Sequence, residues 1–213
     1  MSDRALSATL NKYYRWQAHL YDSTRWAFLF GRTPLIRMAA EGIRPVRILE
    51  VGCGTGKNLA ELARVFPEAE IIGLDLSTEM LRKARKKTQV FGSRVSLLQR
   101  VYNAPVSDGT PFDLIVFSYC LSMINPGFAE VLQVCLDDLG KEGHVAVVDF
   151  HDTGFTWFRR WMGLNHVRMQ GQVLAAVAGA GLTIEHCEVR SAYGGLWRWF
   201  ACVAKRKTGM FCA

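Results

Sequence analysis

Short apolar runs alternate with amphipathic stretches from about residue 46 to the end of the chain. Such runs are typical of buried strands, and the stretches between them have the period of a helix. The alternation therefore predicts an α/β fold. The predicted strands cover residues 46–51, 70–74, 95–98, 113–118, 144–149, 182–189 and 196–204.

Helices are expected between these strands, over residues 57–66, 78–88, 126–139 and 169–178. The third has the clearest boundaries, because Asn125 is a good N-cap, Pro126 suits the first helical position and Gly140 suits the residue after the last turn. Only a short turn separates the last two strands. A connection that short requires an antiparallel hairpin.

The 213 residues contain no repeat or linker, and this length suits a single domain. Residues 1–45 hold many aromatic and arginine side chains before the first strand. We expect them to form a helical cap over the carboxyl edge of the sheet, and residues 46–213 to form the core.

The composition is that of a globular protein, with 50% hydrophobic and 21% charged residues. The net charge of +7 favours a polyanionic partner, either nucleic acid or an anionic membrane surface. The apolar stretches are too short to span a bilayer, and the N-terminus lacks a secretory apolar region, so a cytoplasmic location is expected. The six cysteines form no C-x-x-C pair and the histidines show no ligand spacing. We therefore expect reduced, buried thiols and no metal site.

The strongest motif is an apolar strand that leads into Gly52, Gly54 and Gly56 and then into a helix. Glycines at these positions let the backbone turn tightly and approach a ligand closely. The dinucleotide motif G-x-G-x-x-G would need a glycine at Lys57, so NAD and FAD are disfavoured. The spacing G-x-G-x-G resembles the first motif of the class I S-adenosylmethionine-dependent methyltransferases.

Asp75 supports this resemblance, because it ends the second predicted strand. A carboxylate at that place can accept hydrogen bonds from both hydroxyls of a ribose. The alternative interpretation is purely structural: the glycines make a tight turn and Asp75 caps the next helix.

The resemblance implies a Rossmann-like sheet of seven strands with an antiparallel last strand and helices on both faces. It also implies S-adenosylmethionine as cofactor, held at the carboxyl ends of the strands. The cofactor-binding residues that it implies are Glu50, Gly52, Cys53, Gly54, Gly56, Asp75, Leu76, Tyr102, Asn103, Ser118 and Tyr21. Many relatives carry an acid after the third strand, where this chain has Gln99 and Arg100, so adenine contacts are assigned to backbone groups, Tyr102 or Asn103.

The chain lacks the Asn or Asp followed by two prolines with which DNA and RNA amine methyltransferases clamp a flipped base. No nucleic-acid partner is expected. The run 21–32, the segments 118–124 and 148–152, Asn165–Arg168 and the segment 192–198 are instead similar to the betaine-lipid methyltransferases of the BtaB type. This similarity implies three successive N-methylations of diacylglycerylhomoserine, which yield diacylglyceryl-N,N,N-trimethylhomoserine.

A pocket for that substrate must hold an amine that becomes a quaternary ammonium, and aromatic faces suit such a cation. The candidates are Tyr14, Tyr21, Tyr119 and Tyr193, each of which is alternatively a packing residue. Arg168 or Arg25 is suited to the homoserine carboxylate. Asp149 or His151, near the end of the fifth strand, is a candidate acceptor for the amine proton, and the predicted catalytic residues are Tyr119, Asp149 and His151.

A lipid substrate requires an enzyme that reaches the membrane surface from the cytoplasm. Residues 155–162 mix large apolar and cationic side chains, and we expect them to face an anionic bilayer. Other functions compatible with the motif are phosphatidylethanolamine or small-molecule N-methylation, and non-catalytic S-adenosylmethionine binding in an RNA-associated protein.

Overall fold

A computed structural model describes residues 29–124, 127–164 and 167–207 of the chain. Its strands are β1 Arg47–Val51, β2 Glu70–Asp75, β3 Val95–Gln99, β4 Phe112–Ser118, β5 Leu139–Asp152, β6 Leu182–Ala192 and β7 Trp197–Arg206. They form one sheet in the order β3-β2-β1-β4-β5-β7-β6. β7 is antiparallel to both neighbours, and the remaining pairs are parallel. The predicted fold class, including the antiparallel hairpin, is confirmed.

Six α-helices lie within the described residues: α1 Arg32–Gly42, α2 Lys57–Val65, α3 Thr78–Thr88, α4 Phe128–Asp138, α5 Thr156–Leu164 and α6 Gln172–Gly179. They cover both faces of the sheet. Buried side chains of α1, α2 and α5 belong to one apolar core, and those of α4 and α6 belong to the other. Strands covered on both faces explain the nearly continuous apolar runs in the sequence.

The boundaries around β5 and α4 differ from the prediction. β5 begins at Leu139, inside the predicted helix 126–139, and Leu139 pairs with Phe112 on β4. The register with β4 shifts here, because the next pair after Phe112 and Leu139 is Leu114 and His144, so the charged and glycine-rich stretch 140–143 interrupts the strand pairing. The helix N-cap is Gly127, while Asn125 and Pro126 lie outside the described residues.

Two further helices differ from the prediction. α6 begins at Gln172, later than the expected residue 169. Residues 155–162, which include most of α5, were expected to face a bilayer but were not predicted as a helix. Of the predicted helical cap, α1 is the described part. Leu35, Ile36 and Ala39 of α1 are buried in the core, so this helix covers a face of the sheet and reaches the edge only with its N-terminal end.

The five cysteines in the described ranges are free thiols, as predicted. Cys187 is exposed, so its expected burial is wrong. It lies on β6, an edge strand of the sheet, and most residues of this strand are exposed or half-buried. Cys212 lies outside the described residues. No helix in the described part of the chain has the length and apolar character needed to cross a bilayer.

Candidate functional site

The loops after β1, β2 and β4 meet at one point of the carboxyl edge. Val51, at the end of β1, pairs with Leu74 on one side and with Phe117 on the other. The connections from β1 and β4 leave in opposite directions along the sheet, which opens a crevice of the kind in which α/β proteins bind ligands. The structure thus brings together the glycines after β1, Asp75 and Ser118, as the sequence predicted.

The glycine loop, residues 52–56, has a backbone that side chains would not tolerate. Gly52, Gly54 and Gly56 have φ angles of 70°, 53° and 72°. A Cβ on Gly56 would lie 2.9 Å from Cα of Ala84 on α3, and one on Gly52 would lie 2.7 Å from Sγ of Cys120. The loop therefore needs glycine both for its backbone angles and for its close approach to the neighbouring elements.

Asp75 connects this loop to the end of β2. One carboxylate oxygen accepts the N–H of Gly54 at 2.8 Å, and the other accepts the N–H of Ser77 at 2.8 Å. Ser77 is the N-cap of α3. Asp75 therefore supports both the glycine loop and the start of α3, which is the role that the structural interpretation gives it. Each carboxylate oxygen has a second lone pair, so these contacts leave acceptor capacity for ribose hydroxyls.

Glu50 lies on β1 just before the glycine loop and is 1% exposed. Its Oε1 accepts the side-chain N–H of Asn58 at 3.0 Å, while its buried Oε2 has no hydrogen-bond partner among the residues that the structure describes. Burial raises the pKa of Glu50 to about 8, against the opposing effect of Arg32. A buried carboxyl group with one unpartnered oxygen beside a ligand crevice is a candidate for binding a cation.

The raised pKa makes the stability of the fold depend on pH. The folded protein binds the Glu50 proton more tightly than the unfolded chain, so this stabilisation is complete below pH 4.5 and is lost as the pH rises towards about 8. Over that window we expect the free energy of unfolding to fall by at most about 5 kcal/mol, because each pKa unit corresponds to about 1.4 kcal/mol.

Urea titrations of the unliganded protein at several pH values measure this effect. The variant Glu50→Gln should remove most of the slope, whereas Glu70→Gln, an exposed change on β2, should keep it. A wild-type slope in the Glu50 variant would show that another group is responsible.

Arg32, at the start of α1, completes the crevice on the β4 side. Its Nε donates to Oγ of Ser118 at 3.1 Å, and its guanidinium carbon lies 6.0 Å from the centre of the Tyr119 ring. Arg32 ends the run 21–32 but was not among the predicted site residues. Nothing in its local sequence indicates a partner 86 positions further along the chain.

Tyr119 and Asp149, two predicted catalytic residues, lie at the ends of β4 and β5. Tyr119 has a φ of 52° and a ring that is 1% exposed, and its hydroxyl donates to the carbonyl oxygen of Phe30 at 2.8 Å. Asp149 is fully buried and accepts the N–H of Ser122 at 2.9 Å and that of Phe150 at 2.7 Å. Burial raises the pKa of Asp149 to about 6. These contacts fix the loop after β4, and a role in proton transfer stays a prediction.

His151, the third predicted catalytic residue, is half-buried near the end of β5. Its Nε2 is 4.0 Å from Oδ2 of Asp152, and within the described part of the chain its buried Nδ1 has no hydrogen-bond partner. The ring packs edge-on against Phe200, and Gly171 passes so close that a Cβ there would lie 3.3 Å from it. The catalytic role of His151 also stays a prediction.

The hydroxyl of Tyr102 is committed to the fold. It donates to Asp138 at 2.9 Å, and the same carboxylate accepts the N–H groups of Val106 and Ser107. The hydroxyl proton is therefore committed to Asp138 and only the oxygen lone pairs remain for another contact, so an adenine contact through Tyr102 stays a prediction. The sequence could not show this, because Asp138 is 36 residues away.

The remaining predicted residues are placed as follows. Leu76 is half-buried after β2 and its carbonyl accepts the Gln99 amide, while Asn103 is exposed. Burial raises the pKa of the Cys53 thiol, so this loop residue stays protonated. Tyr193 is 55% exposed and its ring packs 5.6 Å from that of Phe30. Arg168 is exposed. Tyr14, Tyr21, Arg25, Asn165 and His166 lie outside the described residues.

The seven-stranded sheet with its antiparallel β7, the glycine loop and the acid that ends β2 define the fold of the class I methyltransferases. This class takes its methyl group from S-adenosylmethionine. Residues 48–143 match the family model described as a methyltransferase domain. The predicted fold is thereby confirmed, and the match supports the predicted class over residues 48–143.

A curated relative supports the same class over part of the chain. The malonyl-[acyl-carrier protein] O-methyltransferase of Geobacter sulfurreducens is 37% identical over 102 residues, which cover 46% of this chain and 38% of that protein. The chain thus spans less than two fifths of the length of this relative.

Two solved structures share the fold at low sequence identity. The 1,6-didemethyltoxoflavin-N1-methyltransferase of Burkholderia thailandensis, with bound 1,6-didemethyltoxoflavin and S-adenosylhomocysteine, has a TM-score of 0.73 at 16% identity, over 97% of this chain and 91% of that one. The N-methyltransferase NodS of Bradyrhizobium japonicum, in complex with S-adenosylhomocysteine, has a TM-score of 0.69 at 20% identity, over 82% and 85%. By name, one of these proteins is an O-methyltransferase and two are N-methyltransferases, so they do not determine which atom of the substrate receives the methyl group.

Proposed function

We propose that this chain is an S-adenosylmethionine-dependent N-methyltransferase that acts on the amine of a lipid headgroup, with diacylglycerylhomoserine as the substrate that the sequence resemblance favours. Methyl transfer is supported above all by the glycine loop with Asp75 and the unpartnered Oε2 of Glu50 at the same crevice. Asp75 would accept the ribose hydroxyls of the cofactor. Glu50 would accept its ammonium group, in a position where the glycines leave room for the ligand.

The cofactor, when bound, supplies an electrophilic methyl group on a sulfonium. In each transfer the nitrogen lone pair of the substrate forms the new bond to the methyl carbon while the bond from carbon to sulfur breaks. An α-amino group of a peptide has a pKa of about 8, and the free carboxylate of homoserine raises it further, so the ammonium form must lose a proton before the first transfer. The main task of the protein is then to position the amine.

The first two transfers each leave a proton on nitrogen that must be removed before the next, whereas the third yields a quaternary ammonium and needs no acceptor. Asp149 is a candidate acceptor, because burial holds its pKa at about 6 and the group is therefore ionised at neutral pH. The exposed ring of Tyr193 is a candidate for contact with the ammonium product.

The surface of α5 supports a lipid as the substrate. Trp157 and Trp161 are 62% and 46% exposed, and Leu164 is 79% exposed. These positions are spaced by four and three residues, so they share one face of the helix. Phe158 and Met162 are buried and fix the helix to the core, where Phe158 stacks on Trp197 at 5.5 Å. With Arg160 next to this face, α5 has the composition of an interfacial helix.

We expect the protein to sediment with phosphatidylcholine vesicles that contain phosphatidylglycerol, and less so as salt is added. Replacing Trp157 and Trp161 together with alanine should reduce binding by about tenfold or more, because each buried aromatic side chain contributes about 2 kcal/mol. Val90→Ala, an exposed apolar change away from α5, is the control. Equal sedimentation of all three proteins would refute α5 as the docking surface.

Methyl transfer from labelled S-adenosylmethionine into a total lipid extract tests the function as a whole. The expected product is a lipid whose label resists mild alkali, because N-methyl groups are stable where methyl esters hydrolyse. Mass spectrometry of the headgroup then identifies the substrate. Label recovered only in alkali-labile ester would favour carboxyl O-methylation, which the similarity to the malonyl O-methyltransferase supports as the second candidate.

A further inference from the structure

A cavity of about 650 Å³ opens at the carboxyl edge of the sheet, beyond β4 and away from Asp75. β5 ends at this cavity with Asp152, β6 ends there with Ser191 nearby, and Arg198 near the start of β7 pairs with both in the sheet register. The side chains that bear on its chemistry are Asp152, Arg159, Gln170, Ser191 and Arg198. We propose that this cavity binds an anionic group, carboxylate or phosphate, of the molecule that is methylated.

The charges in the cavity do not cancel. Arg198 forms a two-pronged ion pair with Asp152, with Nε 2.6 Å from Oδ1 and the second contact through Nη2. Arg159 donates from Nη2 to the carbonyl oxygen of Thr153 at 2.5 Å, and it forms no ion pair with any carboxylate of the described residues. The cavity lining therefore holds two guanidinium groups and one carboxylate, and it carries a net positive charge.

The donor geometry fits an oxyanion. A guanidinium carries five N–H groups in one plane, so a single carbonyl contact leaves Arg159 with donors for a two-oxygen ligand. Gln170 and Ser191, on the cavity wall, add neutral polar groups. Arg198 beside Asp152 holds the pKa of that carboxyl below its usual range, with a smaller contribution from Arg159, so Asp152 stays ionised and keeps Arg198 in place.

The position of the cavity connects it to the proposed reaction. Arg159 lies on α5, next to the buried Phe158, so the cavity borders the helix proposed to contact the membrane. The ring of Phe158 contacts that of Trp197, and a further contact joins Trp197 to Tyr193. The ring of Tyr193 contacts that of Phe30. The backbone carbonyl of Phe30 accepts the hydroxyl of Tyr119 beside the crevice. A headgroup entering along α5 would be oriented with its anion on the Arg159 side of the crevice. This orientation rests on the proposed function, whereas anion binding itself does not.

Arg159 was not one of the two arginines predicted to bind the anion, Arg168 and Arg25. Arg168 is exposed and contributes only its backbone carbonyl to a described hydrogen bond, which the Gln172 amide donates at 3.0 Å. Arg25 lies outside the described residues. Which cation borders the cavity depends on how residues that are far apart in the chain pack together, so local sequence does not indicate it.

Calorimetric titration of the full chain with inorganic phosphate, sodium acetate and dihexanoyl-phosphatidylethanolamine tests the proposal. We expect saturable binding of at least one of these probes, weakened by about tenfold in Arg159→Gln, because hydrogen bonds to charged groups contribute more than about 1.4 kcal/mol. Arg159→Lys, which keeps the charge and loses the fork, should bind with intermediate affinity. Arg85→Gln removes the same charge from an exposed position on α3, which does not line the cavity, and should bind like the wild type.

The probes also distinguish the source of the anion. Saturation by free phosphate or acetate identifies a site for the anion alone, and saturation only by the short-chain lipid identifies a headgroup site. Absence of saturable binding to all three probes, or equal losses in the Arg159→Gln and Arg85→Gln variants, would overturn the proposal. S-adenosylhomocysteine binding, measured on the same samples, verifies folding and tests the cofactor site separately, so a failure of either proposal is distinguishable from a failure of the other.

Discussion

Replacing Gly56 with alanine is expected to lower the free energy of unfolding by about 3 kcal/mol and to weaken S-adenosylhomocysteine binding by about tenfold or more. Two costs add at this position. The φ angle of 72° is unfavourable for any residue with a Cβ, and the new methyl group would lie 2.9 Å from the backbone of Ala84. Because backbone cannot move aside as a flexible side chain can, α2 and the glycine loop must shift away from α3.

The control for this change is Gly194→Ala. Gly194 has almost the same backbone conformation, with φ 65° and ψ 22° against φ 72° and ψ 23° for Gly56, but nothing lies within 4 Å of its Cβ position. It should therefore lose only the conformational part, about 1 kcal/mol. Thermal melts and calorimetry measure both quantities. Normal cofactor affinity in folded Gly56→Ala would show that the loop merely makes a turn, as the structural interpretation of the glycines holds.

Replacing Asp75 with alanine is expected to reduce S-adenosylhomocysteine affinity by about a hundredfold. The change removes the acceptor proposed for two ribose hydroxyls, and hydrogen bonds to a charged group contribute about 1.5 to 3 kcal/mol each. It also leaves the N–H groups of Gly54 and Ser77 without their acceptor, so the unliganded protein should be less stable as well.

Asp75→Asn should produce both effects in part. It keeps the shape of the side chain but has one acceptor oxygen, so it cannot serve both backbone N–H groups. Asp108→Ala is the matched control, because Asp108 is exposed and pairs with Arg47 away from the crevice. Calorimetry should show an affinity close to that of the wild type for Asp108→Ala and a large loss for Asp75→Ala. Unchanged affinity in the Asp75 variants would refute the assignment of the ribose site.

Part of the site followed from local sequence alone. Three glycines at alternate positions after an apolar run indicate a particular backbone, and an acid at the end of the next strand lies beside it in any parallel sheet of this order. These features depend on backbone geometry and strand burial, which neighbouring residues largely determine. For the same reason the strands and the hairpin of β6 and β7 were predicted correctly.

The roles of individual side chains were harder to predict, because a side chain is available for chemistry only if its polar atoms are not already paired. Tyr102 was expected to contact adenine, and its hydroxyl is bonded to Asp138. Tyr119 was expected to bind substrate, and its ring is buried with its hydroxyl on Phe30. Arg32, which no motif indicated, reaches Ser118 in the crevice.

The sequence by itself determined the class of fold and the position of the glycine loop with its acid, because backbone conformation and the alternation of buried strands are encoded locally. Only the tertiary structure decided which charges face the crevice, which tyrosines are already bonded, and that Arg159 borders a cavity with Arg198 and Asp152. Those outcomes depend on contacts between residues far apart in the chain, where burial and competing hydrogen bonds determine the chemistry that each group retains.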